Sequence, residues 1–313
     1  MCQFGKGMAM MSRLPFWRFV VRQVRPWSLV EYILNLTARR ECRAANVVSK
    51  FISGKTGLEV GGPSQIFSDG GIIPIYSRVA AIDNCQFSNK TMWQGEVIEG
   101  RVQWASAGTQ FISEANDLAS VPDAKYDFLV ASHVLEHLAN PIKALKEWTR
   151  TVKDGGVLLV IVPHRSGTFD HNRSYAQFDH LLDDLKNNTP EDDLTHVEEI
   201  LSRHDFALDP GAGSRAEFED SARNNEKFRR LHHHVFSPEL LVEISNYLGL
   251  LVTLVEIELP YHIILVIQKR GATAAHEIER HNAMYLAKEA SWRVESPFKD
   301  DRIAVISKLS SVR

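Results

Sequence analysis

The sequence predicts an α/β fold, a largely parallel sheet with helices on both faces. Two observations predict it: from residue 57 short apolar runs alternate with helical segments, and a glycine-rich turn, "GLEVGGPSQI", follows the first run. With 313 residues and 44% hydrophobic content, the chain can bury one large core, or one core and an appendage. The longest apolar runs, such as Val157 to Pro163, have the length of a strand and fall far short of a membrane span. Cys2, Cys42 and Cys85 are scattered and odd in number, which argues against a disulfide framework or a cysteine-rich zinc site and for a reducing cytoplasm.

In order along the chain, residues 1–50 come first, with nine Lys or Arg against two acids, a charge of +7 that leaves −10 for the remainder. Arg18, Arg22 and Arg25 recur at helical spacing among Trp17, Phe19, Val20, Val21 and Val24, so a basic amphipathic helix is expected up to Pro26. This arm is expected to pack as a lid or homodimer arm. Peripheral contact with the inner face of an anionic membrane is the second reading. Arginines interrupting the apolar run argue against a secretory signal.

Strands are expected at 57–60, 79–83, 110–114, 126–132 and 156–163. Between the last two, Asn140 caps a helix, Pro141 suits its first turn, Ile142, Leu145 and Val152 face inward, and Gly155-Gly156 ends it. Ser237-Pro238 opens a further helix that Gly249 closes, followed by strands at 250–258 and 261–268 around Pro260. Residues 165–235 break the alternation and are expected to form a lid or substrate insertion within a domain spanning 51–270. Residues 271–313 read as a C-terminal extension of one helix and a ragged end.

The glycine turn stands where a nucleotide loop would, yet GxGxxG is absent and Pro63 removes an amide donor, which disfavours a dinucleotide. What remains is Glu59 in the turn, a bare Gly61, and Asp83 closing the second strand. Carboxylates with close backbone approach suit a ligand that has ribose hydroxyls and a cationic tail but no phosphate, as S-adenosylmethionine has.

The segments "LEVGGPS", "AIDN" and "EANDLASVPDAKYDFLVASHVLEHLANPIKALKEWTRTVKDGGVLLVIVPH", in that order, resemble the class I S-adenosylmethionine-dependent methyltransferases, in particular their type 11 small-molecule group. The resemblance covers residues 50–164 and, less closely, 237–268. It implies a Rossmann-like, seven-stranded methyltransferase sheet whose last strand is antiparallel. It puts Glu59, Gly61 and Gly62 in the methionine-binding turn, Asp83 and Asn84 at the ribose, Asp117 and Leu118 near the adenine, and Ser132 and His133 on the pocket floor. The chain departs from the pattern at Pro63 and Gln65, where the family often has glycine. In the family "LEHL" is chiefly structural, so Glu136 and His137 are not expected to act as an acid–base pair.

Methyl transfer to a hydroxyl needs alignment and a base. Seven of the thirteen histidines fall in 165–235, so His164, His171 and His233 are the candidate bases, acting on a small polar acceptor such as a sugar or glycan hydroxyl. A divalent metal held by Asp170, Asp192, Asp193 and His196 is the weaker alternative, because fifteen acids against nine bases read more simply as a hydrated surface. Two other functions compete: a methyltransferase-fold binding module without chemistry, and a nucleic-acid modifier gripping phosphates with the basic arm. The acidic remainder argues against nucleic acid.

Overall fold

The computed structural model describes residues 14–24, 32–33, 41–91, 93–271 and 275–302. Its strands are β1 (Thr56–Val60), β2 (Ala81–Gln86), β3 (Lys90–Thr91), β4 (Gly95–Glu96), β5 (Gly100–Arg101), β6 (Thr109–Ile112), β7 (Tyr126–Ser132), β8 (Val152–Pro163), β9 (Leu250–Glu258) and β10 (His262–Lys269). An eight-stranded sheet runs β5-β6-β2-β1-β7-β8-β10-β9, and β3 and β4 pair separately. From β6 to β8 neighbours are parallel, whereas β10 is antiparallel to both β8 and β9. The expected count was seven. The eighth strand is β5, two exposed residues antiparallel to β6, too short and too polar to leave a periodic signal.

Alternate residues of β7 and β8 enter cores on opposite faces of the sheet. Leu129, Ala131, Leu158 and Val160 pack with Trp148, while Phe128, Val130, Val157 and Leu159 pack with Val48 and Ile52. Burial on both faces produces the continuous apolar runs of a covered parallel sheet.

The helices are α1 (Leu14–Gln23), α2 (Arg43–Ile52), α3 (Pro141–Thr151), α4 (Phe178–Asn187), α5 (Val197–Arg203), α6 (Arg215–Arg223), α7 (Asn225–Phe228), α8 (Pro238–Tyr247), α9 (Ala275–Leu286) and α10 (Ser291–Glu295). As expected, Asn140 caps α3, its side chain accepting Lys143 N–H at 3.1 Å. The helix ends sooner than expected, however, and Val152 already belongs to β8. Among its described residues the C-terminal extension holds two helices, not one, with a turn in which Ala290 N–H donates to the Ala287 carbonyl and Trp292 is buried.

Helices α4 to α7 lie in 165–235, where Val197, Ile200, Leu201, Phe218, Ala222 and Leu231 form a separate apolar cluster. Of the arm, Val20 and Val24 are buried in the main core, and the Phe19 ring lies 4.5 Å from His171. The described part of the arm therefore packs on the domain. Among the described residues no helix is long and apolar enough to cross a membrane.

Candidate active site

A cavity of about 360 Å³ opens at the carboxyl end of the parallel strands. Its wall includes Gly61, Pro63, Ser64 and Gln65 after β1, Gln86 and Phe87 at the end of β2, Ser113 to Ala115 after β6, Ser132 at the end of β7, and His133 and Val134 after it. This is where an open α/β sheet gathers a ligand, because strand ends splay there and loops converge.

The turn after β1 is held from beneath. Glu59, 1% exposed, accepts Ser64 N–H at 3.1 Å and Tyr76 O–H at 3.0 Å. Burial pushes its carboxyl up to about 8, the hydrogen bonds from Tyr76 and Ser64 opposing. Gly61 takes a left-handed φ of 78°, and a Cβ there would sit 2.5 Å from Val134. At Gly62 a Cβ would sit 2.0 Å from the Glu59 carboxyl carbon. Asn84, fully buried, accepts Gly62 N–H at 3.1 Å and donates to Gln110 at 3.0 Å. Glu59 and Asn84 thus shape the turn from below, and Gly61 presents it to the cavity.

The floor carries the titratable groups. His133 stands on the wall with a left-handed φ of 55°. Its Nδ1 is 3.3 Å from the Glu136 carboxylate, and its Nε2 is 2.9 Å from His262 Nδ1. Glu136 is fully buried, and neither of its oxygens has a hydrogen bond of good geometry. Burial pushes its carboxyl up, but His133, His137 and His232 outweigh that and hold it below the ordinary value. His137 also reaches the wall. Burial, helped by His232, lowers it to about 4, so it is neutral. Burial and the nearby His133 likewise push His262 well down. Ser132 Oγ and Gln86 Oε1 are buried beside the cavity without a partner, as groups awaiting a ligand's polar atoms would be.

Several expected positions lie elsewhere. The strand expected to close at Asp83 continues to Gln86, which leaves Asp83 in mid-strand. There it accepts from Tyr126 O–H at 2.7 Å, Lys125 Nζ at 3.0 Å and Thr109 N–H at 2.9 Å, and Gln86 takes the strand-end place. Asp117 caps a turn by accepting Ala119 N–H at 3.2 Å, and Leu118 is core; Ser113, Glu114 and Ala115 form the wall instead.

None of the three candidate bases is on the cavity wall. His164 is fully buried, stacked 4.1 Å from Phe298 and 3.2 Å from Asp301. His171 contacts Asp205 at 2.9 Å, and His233 contacts Asn225 at 3.1 Å. Burial, with His196 adding to it, lowers His233 to about 3.

The proposed metal set is also dispersed. Asp170 meets His232 at 2.5 Å and Arg173 at 3.1 Å, Asp193 accepts from Thr195, and Asp192 is exposed. His196 instead faces His180 at 3.0 Å.

Sequence reasoning missed Gln86, Trp93, Glu114 and Arg229. Arg229, from the insertion, reaches the wall and donates to Glu114 at 2.7 Å. No local pattern marks it, because its role depends on the insertion folding back 115 residues along the chain.

Residues 36–210 match the family model described as a methyltransferase domain. Solved structures similar to the chain include an S-adenosylmethionine-dependent methyltransferase from Aquifex aeolicus (14% identity, 72% of this chain and 87% of that one, TM-score 0.38). Another is an S-adenosylmethionine-dependent methyltransferase from Methanosarcina mazei (14%, 72% and 97%, TM-score 0.40). A third, from Haloferax volcanii, is a complex of the Trm112 activator with a methyltransferase (12%, 83% and 98%, TM-score 0.41). No curated protein matches. The matched model spans more than half of the chain and encloses the strands that build the cavity, so the chain belongs to the class I S-adenosylmethionine-dependent methyltransferase family.

Proposed function

We propose that the chain moves a methyl group from S-adenosylmethionine to a hydroxyl of a small polar acceptor, a sugar or glycan-related molecule, in the cavity at the carboxyl end of the sheet. The observation that carries this reading is His133 on the cavity wall with the buried Glu136 carboxylate behind it. When bound, the cofactor supplies a methyl group on a sulfonium, whose departure needs no acid.

The chain's residues do the rest. Gly61 allows close backbone approach, and Gln86 Oε1 and Ser132 Oγ offer hydrogen-bonding atoms to the ligand. With His133 Nδ1–H directed at Glu136, Nε2, which otherwise pairs with His262 Nδ1 at 2.9 Å, is the basic atom that would face the acceptor hydroxyl. His133 Nε2 would take up the proton that the acceptor hydroxyl gives up, and the Glu136 carboxylate would stabilise the imidazolium so formed. Gln86, Glu114 and Arg229 supply polar groups on a wall that also carries Phe87 and Trp93, and they support a polar acceptor.

The test is a screen of sugars, amines and catechols for S-adenosylhomocysteine formation. Turnover confined to hydroxyl acceptors of the sugar class is expected. Turnover of amines or catechols in preference would overturn the acceptor class.

A further inference from the structure

Away from the cavity wall, three histidines of the insertion converge in a way that methyl transfer does not use. His180 on α4, His196 at the start of α5 and His234 in the segment before α8 bring their ring nitrogens within 4.8 Å of one another. Asp184 lies one turn after His180 on the same face of α4. Its Oδ1 accepts Thr189 O–H at 3.0 Å, while Oδ2 is buried without a hydrogen bond. That unpartnered oxygen is 3.5 Å from His180 Nε2 and 3.6 Å from His234 Nε2, and His180 Nε2 is 3.0 Å from His196 Nε2.

These separations have a meaning for metal geometry. Ligand atoms about 2.0 Å from a tetrahedral zinc lie roughly 3.3 Å from each other. Three of the six edges of such a set, at 3.0, 3.5 and 3.6 Å, bracket that length, and the three histidine nitrogens lie within 4.8 Å of one another. Imidazole nitrogens with one carboxylate oxygen form a donor set for zinc or a neighbouring first-row ion, not for magnesium or calcium. His234 Nε2 also lies 3.2 Å from the Ala139 carbonyl, so binding a metal would trade that contact for a stronger one. The His180 side chain, 41% exposed, gives an ion a way in.

We propose that His180, His196, His234 and Asp184 form a structural zinc site. Four protein donors leave no open position, so the ion fastens and does not catalyse. It joins α4, the start of α5 and the chain leading into α8, and so cross-links three segments of the insertion beside Ala139 and Asn140, where Asn140 Nδ2 already donates to the Asp184 carbonyl at 2.8 Å.

The experiment uses the full, untagged chain purified without chelator, with zinc measured by elemental analysis. About one zinc per chain is expected, with affinity falling more than about 100-fold in His196→Ala and about 10-fold in Asp184→Asn. Retention of full zinc by His196→Ala would place the ion elsewhere and overturn the proposal, as would a chain that binds none. Should His196→Ala fail to fold, the unmutated chain decides. After strong chelation its 178–234 segment should become protease-sensitive and recover with added zinc, and indifference to both treatments overturns the proposal.

Discussion

The turn at 57–66 and the insertion at 165–235 both carry polar side chains into buried positions, but they use them differently. In the turn, Glu59 and Asn84 accept backbone N–H groups of Ser64 and Gly62 and so fix the shape of the cavity wall. In the insertion, polar groups hold one another: buried Asp170 holds His232 and Arg173, and the half-buried His180 faces His196. A cluster of residues able to do chemistry therefore marks chemistry only when the fold points it at a cavity. Strand order fixes that direction for residues 57–137, whereas histidine density in 165–235 does not.

The largest stability effect expected from this contrast is at Asp170. Replacing it with Ala removes the partner of a buried His232 and of Arg173, and denaturant unfolding should show a loss of about 3 to 5 kcal/mol. A loss below about 1 kcal/mol would mean that the insertion's polar core is dispensable. Next is Glu59→Ala, which takes the carboxylate from Ser64 N–H and Tyr76 O–H and leaves them only each other, Ser64 N–H to Tyr76 Oη at 2.7 Å and Tyr76 O–H to the Ser64 carbonyl at 3.1 Å. It should weaken S-adenosylmethionine binding by about 1 to 3 kcal/mol in calorimetry, through loss of the turn's shape.

The two regions should also respond to pH in opposite directions. Burial raises Glu59 from 4.5 to about 8, so the folded chain holds that proton more tightly than the unfolded one, and this group's contribution to stability falls as pH rises from about 4.5 to about 8. Against the cost of burial, His232 and Arg173 lower Asp170 from 3.8 to about 2. Its contribution is full above 3.8 and is lost as pH falls toward about 2. Denaturation midpoints across pH should therefore lose their alkaline decline in Glu59→Gln and their acid decline in Asp170→Asn. Unchanged profiles in both variants would remove the contrast. The smallest effect is expected at His171→Ala, where the partly exposed contacts to Asp205 and Phe19 should cost about 0 to 1 kcal/mol.

Much of the sheet was legible because buried strands are written as apolar runs bounded by glycine and proline. β7 and β9 fall on the residues read for them, 126–132 and 250–258. β2 was misread because Asn84 and Gln86, polar yet buried, look like the end of a strand; what buries them is the turn 22 to 24 residues earlier. That error displaced the strand-end position from Gln86 to Asp83. Ser132 and His133 were legible as wall residues because they stand at and just past the end of a well-marked strand. Arg229, and the pairing of His180 with His196, depend on contacts across the insertion, which no local periodicity encodes.

The central claim is that proton removal belongs to the floor of the cavity and not to the histidine-rich insertion. The most direct measurement compares turnover of His133→Ala and His171→Ala with S-adenosylmethionine and an accepted hydroxyl substrate, alongside cofactor affinity by calorimetry. The account predicts that His133→Ala lowers kcat by about 10² to 10⁴ with cofactor affinity nearly unchanged, while His171→Ala stays within a few-fold of the unmutated chain. Full turnover in His133→Ala together with a collapse in His171→Ala would contradict it.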